Sequence, residues 1–246
     1  MYTDRSLLKN NARFIMHTAK PSLYVAAIIL IAVSFVLSYV SSSVMGVNIA
    51  PDDLTKYMRY YASGNYEAAL SLLNSMRPPA SAYLMRMVIQ ILLYILGAGF
   101  IIFIFNTIRN TPAVYGNLLD GFGIALKLIG LFLLQMLIIF LWSLLLFFPG
   151  LIAAYGYRMA RYLLIDDPSK GVVQVLRESR QMMRGHKWEC FVLDLSFLGW
   201  RLLCMIPYIG NFVSIYVTPY IETTFVLYYL ALTGRPVIVS AAPGAV

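Results

Sequence analysis

Long apolar stretches alternate with shorter polar and charged ones along the chain. Six stretches lack regular polar positions and approach or reach the ~20 residues that a helix needs to cross a hydrocarbon core. We predict membrane spans at about 22–40, 87–105, 128–148, 151–165, 190–206 and 212–232. Together they form one membrane domain, 21–235. The predicted fold class is an all-α polytopic membrane protein with six transmembrane helices and interfacial amphipathic helices.

Two basic segments have apolar residues at helical spacing, which predicts amphipathic helices at the membrane surface. Residues 1–20 form the first, for which a disordered basic tail is the alternative. Residues 168–184 form the second, and Asp166-Asp167-Pro168 before it is typical of a helix start. The final residues, 236–246, are predicted to be a flexible tail.

The longest polar stretch is the loop 41–83. Pro51-Asp52-Asp53 predicts a helix start, because acidic groups favour the positive end of the helix dipole. The tyrosines that follow suit a segment at the level of the lipid headgroups. We interpret the loop as a connector resting on the membrane, with a lid or a docking surface as the alternative.

Composition supports membrane placement. Hydrophobic residues make up 60% of the chain and charged residues 12%, against a usual charged share of ~25%. The net charge of +8 comes from basic residues clustered between the apolar blocks. The positive-inside rule places both termini in the cytoplasm and predicts anionic lipids at the cytoplasmic face as partners. No nucleic-acid-binding module is recognisable.

Motifs for catalysis or metal binding are missing from the sequence. It has no His-Glu-x-x-His, no Gly-x-Ser-x-Gly and no phosphate-binding glycine loop. Cys190 and Cys204 would lie ~21 Å apart on one helix, which is too far for a disulfide. We therefore expect no enzymatic activity, no catalytic residue, no metal and no cofactor.

Three ionisable residues fall inside predicted spans, where charges are costly and usually lie inside protein or face a cavity. They are Asp194 and Arg201 in the fifth span and Glu222 in the sixth. Asp194 and Arg201 are seven residues apart and share a helix face. If the two spans fold back near Ile209, Arg201 lies between the two acids. A structural network that fixes the helix register is favoured over a proton or substrate relay.

A second candidate group surrounds the entry to the fifth span. Its cationic and aromatic side chains suit membrane anchoring or the binding of lipid headgroups. The residues are Arg177, Arg180, Arg184, His186, Lys187 and Trp188. For His186, a role as a pH sensor or a ligand is the alternative to anchoring.

From the fourth span onward the sequence contains an ordered series of short motifs. They are Phe148-Pro149-Gly150-Leu151, Arg158-Met159-Ala160, Asp166-Asp167-Pro168, Arg177-Glu178-Ser179-Arg180, Gly185-His186-Lys187-Trp188, Leu193-Asp194-Leu195-Ser196-Phe197, Gly199-Trp200 and Pro219-Tyr220. This series resembles the bacterial multi-pass membrane family known as domain of unknown function 975. The resemblance covers about the last hundred residues well and the first three spans in general layout. It implies the architecture and a bacterial cell-membrane location, with no reaction or catalytic residue to carry over.

Two functions fit these observations. The favoured one is a non-enzymatic scaffold or accessory subunit of a cell-envelope or export assembly, with other membrane proteins as partners. The alternative is a transporter or binder of a lipid-like or amphipathic molecule, acting through the charged residues inside the membrane. A water-accessible cavity around Arg201 would favour the alternative, and a sealed network would favour the scaffold.

Overall fold

The structure is a computed structural model that describes residues 4–45, 51–145, 147–206 and 209–235. Within these ranges every regular element is a helix and no strand occurs, which confirms the all-α fold class. The helices are α1 (Arg5–Thr18), α2 (Leu23–Met45), α3 (Pro51–Ala62), α4 (Tyr66–Ser75), α5 (Ala80–Ile108), a 3-10 helix (Tyr115–Ile124), α6 (Ala125–Leu145), α7 (Phe147–Gly156), α8 (Ala160–Asp166), α9 (Val172–Met182), α10 (Lys187–Leu195), α11 (Leu198–Cys204) and α12 (Ile209–Leu232). The predicted tail at 236–246 lies outside the described residues.

Among the residues that the structure describes, three helical stretches are long and apolar enough to cross a membrane. They are Leu23–Ser41, Ala80–Ile108 and Tyr115–Leu144, and they overlap the first three predicted spans. In the most apolar 18-residue window of each stretch, the buried share is 56% for the second stretch and 11% for the third. The third stretch therefore exposes most of its apolar surface, as a helix facing lipid does.

Contacts divide the chain into two compact units. The smaller unit, Val33–Leu93, contains a helical hairpin made of α3 and α4. Asp52 and Asp53 lie in the first turn of α3, which confirms the predicted helix start. Gly64 adopts a φ of 73° in the turn, and the side chain of Asn65 caps α4 by accepting a hydrogen bond from the amide of Ala68 at 3.2 Å.

The larger unit, Met1–Ala32 with Tyr94–Val246, is built around α12. Tyr220, Tyr228 and Tyr229 of this helix are each less than 2% exposed. Both α1 and α11 pack against it. The basic helix α1, expected on the membrane surface, buries Leu8 and Ile15 on its apolar face. Its apolar face therefore has a protein partner.

A close backbone contact joins α5 to the 3-10 helix. A β-carbon on Gly99 would lie 2.0 Å from the carbonyl oxygen of Leu118, and one on Gly121 would lie 2.4 Å from that of Ile95. Real side chains do not tolerate such distances, so both positions need glycine. Gly99 therefore serves the close packing of α5 against the 3-10 helix.

The predicted fourth and fifth spans are both interrupted. α7 ends at Gly156 and α8 begins at Ala160, while α10 ends at Leu195 and α11 begins at Leu198. Each predicted span is thus two short helices instead of one. The carbonyls freed at the first interruption find side-chain partners: Ser179 donates to Gly156 at 3.1 Å and Gln135 to Tyr157 at 2.8 Å.

The predicted helix start at Asp166-Asp167-Pro168 is wrong. α9 begins at Val172, with Gly171 at its N-terminal cap. The Asp167 carboxylate instead accepts a hydrogen bond from the amide of Ser169 at 3.1 Å, which forms a local turn. The neighbouring Asp166 ends α8 and bonds to distant elements, so neither residue caps the next helix.

Candidate functional site

Asp194 is the centre of an ion-pair cluster between the two helix interruptions. Its carboxylate lies 2.6 Å from the guanidinium of Arg201 and 3.3 Å from that of Arg158. The hydroxyl of Tyr155 donates to its second oxygen at 3.1 Å. The Asp194 side chain is 11% exposed. A nearly buried carboxylate with two cations and a hydroxyl donor is well compensated for the loss of water.

The positions of these side chains follow from the interrupted helices. Arg158 lies in the irregular segment between α7 and α8, and Asp194 lies next to the end of α10. Arg201 is on α11, seven residues after Asp194. This spacing places it on the same side as Asp194, to which it bonds. The guanidinium of Arg158 also lies over the ring of Phe225, 4.6 Å from its centre. Both interruptions therefore meet at a single charged cluster.

Of the three predicted intramembrane charges, the structure brings two together. Asp194 and Arg201 pair directly. Glu222 lies apart from Arg201: in the described part of the chain no ion pair within 4.0 Å joins them, and Glu222 accepts a hydrogen bond from Tyr162 at 3.1 Å. The place expected for Arg201 between two acids assumed two continuous antiparallel helices, whereas the first of them is divided into α10 and α11.

Arg158 and Arg161 both make their contacts with protein groups. Arg161 donates to the carbonyl of Tyr94 at 3.0 Å and covers the Tyr94 ring at 4.6 Å. A β-carbon on Gly97 would lie 2.6 Å from this guanidinium, so the glycine makes room for it. The missed signal is that a small residue on one helix, Gly97, leaves room for a long cationic side chain from another helix, Arg161.

A second ionic cluster connects three helix ends. Asp166, at the end of α8, pairs with Arg109 beyond α5 and with Arg235 beyond α12 at 2.8 Å. The hydroxyl of Tyr229 donates to the same carboxylate at 2.7 Å. Burial raises the pKa of Asp166, but the hydrogen bonds from Arg109 and Tyr229 and the positive charges outweigh it and hold that pKa below its ordinary value.

The six predicted anchor and headgroup residues divide between two environments. Arg177 on α9 and Arg184, just beyond the end of α9, are exposed, and Trp188 is 69% exposed while stacking on Phe191. The Nδ1 atom of His186 lies 3.0 Å from the carboxylate of Glu189.

The remaining two, Arg180 and Lys187, line a cavity of about 250 Å³. Its other walls include Trp142 of α6 and Ile152 and Ala153 of α7. The cavity therefore has apolar walls and two cations.

No group of three or more His, Cys, Asp or Glu side chains in the described ranges is arranged to hold a metal ion. Cys190 is buried, and both cysteines are thiols. The expectation that the protein uses no metal and no cofactor stays a prediction.

The fold and these clusters define an all-helical protein with membrane-length apolar helices and charged residues paired in its interior. The chain belongs to the family described as protein of unknown function (DUF975), whose model matches residues 1–236. This confirms the family expected from the second half and extends it over the first three predicted spans. No curated protein and no solved structure matches the chain.

Proposed function

We propose that this protein is a non-enzymatic scaffold or accessory subunit of a cell-envelope or export assembly in the bacterial cell membrane. It has six membrane-embedded segments and both termini in the cytoplasm. Its partners are other membrane proteins and, at the cytoplasmic face, anionic lipids.

The one-sided placement of several helix ends supports this topology. Arg109, Asp166 and Arg235 meet in one cluster, although they follow or end three different helices. Lys127, near the start of α6, donates to the carbonyl of Pro168 at 2.5 Å. The ends of α5, α8 and α12 and the start of α6 therefore lie on one side. Three of these residues are cations, and the positive-inside rule makes that side cytoplasmic.

The observation that carries the scaffold role is the mutual compensation of charges in the Asp194 cluster. Its carboxylate is satisfied by two guanidinium groups and one hydroxyl, and its side chain is 11% exposed. A transport site must present its charges to substrate or water, but the cavity at α7 is lined by neither Asp194 nor Arg201. Mutually satisfied charges fix the geometry of short helices, which suits a rigid framework.

A surface for a partner is present on the α3–α4 hairpin. Exposed apolar side chains recur at i, i+4 and i+7 on both helices, so each helix presents an apolar stripe. The residues are Leu54, Met58 and Tyr61 on α3, and Tyr66, Leu70 and Leu73 on α4. Tyr61 and Tyr66 also contact each other edge to face, with 5.5 Å between ring centres. Tyrosine and methionine are enriched in the cores of protein interfaces.

The test is to extract the whole protein in native lipid discs and to identify co-purifying proteins by mass spectrometry. An unrelated six-span protein gives the background. A stoichiometric partner is expected, and Leu70→Glu is expected to lose it. Ser75→Glu adds the same charge at an exposed position on the opposite side of α4 and is expected to keep it. Absence of any partner above background contradicts the scaffold role, and equal retention by both variants shows that the hairpin rests on the membrane instead.

The helix interruptions favour a second candidate, a transporter or binder of an amphipathic molecule. Arg158 lies within one interruption and Asp194 beside the other. Irregular backbone next to charged residues is a feature of membrane transport sites. Water access distinguishes the two candidates: a cysteine near Arg201, such as Leu202→Cys, would react with a hydrophilic thiol reagent from both sides in a transporter and from at most one side in a scaffold.

A further inference from the structure

The cavity beside α7 is polar at one end and apolar at the other. Gly156, Arg180 and Lys187 border one end, and Trp142, Pro149 and Ile152 border the other. Pro149 and Gly156 are seven residues apart on the same helix, which corresponds to a length of ~10 Å. The cavity therefore has the outline of an amphiphile with its head beside α9 and α10.

The two cations of this cavity differ from the four arginines of the ionic clusters in the larger unit. Arg109, Arg158, Arg201 and Arg235 each pair with a carboxylate within 4.0 Å. In the described ranges, neither Arg180 nor Lys187 forms such a pair. Two like charges that border one cavity repel each other unless an anion lies between them. Their arrangement thus favours a negatively charged occupant.

Local packing places the cationic end beside the end of α7. The ammonium nitrogen of Lys187 lies 3.7 Å from the point where a β-carbon on Gly156 would stand, so Lys187 is next to this glycine. Ser179, next to Arg180, is fully buried and donates to the Gly156 carbonyl at 3.1 Å. This bond attaches α9 to the end of α7. The backbone that carries Arg180 is therefore held at this end of the cavity.

The apolar end opens toward the surface where lipid is expected. Trp142 is 41% and Ile152 55% exposed. The Gly156 end of α7 lies beside Ser179 and Lys187, which the proposed topology places on the cytoplasmic side, so this end lies at the level of the inner headgroups. A volume of about 250 Å³ is below the usual range of a complete small-molecule site. It accommodates a headgroup and the first part of a chain, with the rest of the molecule in the bilayer.

We infer that this cavity binds the phosphate headgroup of an anionic phospholipid from the inner leaflet. Arg180 and Lys187 contact the phosphate, and one acyl chain lies along α7 against Trp142 and Ile152. The inference rests on the proposed membrane placement and is independent of the scaffold role. It also separates Arg180 and Lys187, which line the cavity, from Arg177 and Arg184, which do not and which attract anionic lipid only as a diffuse charge.

The experiment uses the full chain in phosphatidylcholine discs that contain increasing amounts of phosphatidylglycerol. Native mass spectrometry counts the retained phosphatidylglycerol molecules. The double variant Arg180→Gln/Lys187→Gln is expected to bind about 30-fold more weakly, since it loses two direct charge-assisted contacts to the phosphate. The control Arg177→Gln/Arg184→Gln removes the same charge from the same surface and is expected to retain the lipid within about threefold. Equal losses in the two double variants would overturn the inference.

A second variant separates a lipid from a soluble phosphate and does not depend on the charge changes. Ala153→Phe fills the apolar end and leaves both cations in place, so it is expected to displace phosphatidylglycerol. If Ala153→Phe retains the lipid, or if millimolar inorganic phosphate displaces it from the unmodified protein, the inference is wrong. The thermal unfolding midpoint of each variant shows that the fold is intact. Failure of this binding leaves the scaffold test unaffected, because that test reads protein partners on the α3–α4 hairpin.

Discussion

The guanidinium of Arg158 lies 3.3 Å from the carboxylate of Asp194, and this ion pair links the two helix interruptions. Arg158 follows α7, and Asp194 lies next to the end of α10. Neither segment is a continuous helix. The ion pair therefore helps to hold the two interruptions in a fixed position relative to each other. Arg201 adds a second cation on the same carboxylate oxygen. Most of the predictions below concern such contacts between interrupted or closely packed helices.

Removal of the Asp194 charge should destabilise the protein more than removal of either partner. Asp194→Asn leaves Arg158 and Arg201 without their carboxylate, and the loss of one partner of a buried pair costs about 3–5 kcal/mol. For a chain of this size the thermal midpoint in detergent should fall by about 10 °C. Arg201→Gln should cost less, because the Arg201 side chain is 42% exposed and Arg158 still neutralises Asp194.

The matched control is Asp52→Asn, which removes a carboxylate from an exposed position on α3. It should shift the midpoint by about 1 °C or less. Thermal unfolding followed by circular dichroism measures all three variants. Equal midpoints for Asp194→Asn and Asp52→Asn would show that the Asp194 cluster contributes nothing to stability.

The contact between α5 and the 3-10 helix should tolerate no side chain at two glycines. A β-carbon on Gly99 or Gly121 would lie within 2.4 Å of a backbone carbonyl oxygen. Gly99→Ala and Gly121→Ala should each cost about 1–3 kcal/mol through forced backbone shifts. Gly123→Ala is the control, because nothing lies within 4 Å of its β-carbon. It should be neutral or slightly stabilising. Detergent midpoints that rank Gly123→Ala lowest would refute the contact.

Local patterns predicted the helical class and the amphipathic segments, because both depend on residues close in sequence. The apolar blocks reflect membrane-like burial, and the spacing of Val175, Leu176 and Ser179 predicted the buried side of α9. The interruption at 157–159 contains neither glycine nor proline. It depends on Ser179 and Gln135, which satisfy its carbonyls from other helices. A local pattern contains no signal for such distant partners.

Asp166 shows the same limit for a charged residue. Asp before Asp-Pro satisfies every local rule for a helix cap. Its actual partners, Arg109, Tyr229 and Arg235, lie between 57 and 69 positions away. The candidate site was predicted in part for a similar reason: the i, i+7 pair Asp194–Arg201 is local and could be read from one helix, while Arg158 and Tyr155 are tertiary partners.

Acid should weaken the Asp166 cluster in a defined direction. The pKa of Asp166 lies below its ordinary value of 3.8 in the folded protein. The folded state therefore binds fewer protons than the unfolded state in this range, so the cluster stabilises the fold fully above about pH 4. That stability is lost as the pH falls below 3.8 and through the lower folded pKa. Thermal midpoints measured between pH 3 and 7 should show this fall.

Asp166→Asn should lower the midpoint at neutral pH and should flatten its dependence on pH at the acid end. Arg235→Gln should have a smaller effect, because Arg109 and Tyr229 still bond to the carboxylate and the Arg235 side chain is 62% exposed. If Asp166→Asn retains the full acid dependence of the unmodified protein, other carboxylates are responsible for it.

The topology can be tested with single cysteines and a thiol reagent that does not cross membranes. Cys190→Ala and Cys204→Ser first remove the native thiols. In intact cells, the α4 variant Ser75→Cys should then react, whereas the α9 variant Arg177→Cys should react only after permeabilisation. Asn211→Cys, exposed near the start of α12, should also react in intact cells if α10–α11 and α12 cross completely.

The result at Asn211 has a specific structural consequence. Lys9 of α1 donates to the carbonyl of Ser196 at 3.3 Å, between α10 and α11, and covers the ring of Phe197 at 4.3 Å. This contact brings a cation from α1 to the middle of the predicted fifth span. If Asn211→Cys reacts only after permeabilisation, α10–α11 and α12 enter and leave on the cytoplasmic side. The end of α12 would keep its side in that case, because Arg235 still pairs with Asp166. The proposed cytoplasmic placement of that end therefore does not depend on the depth of the last two segments.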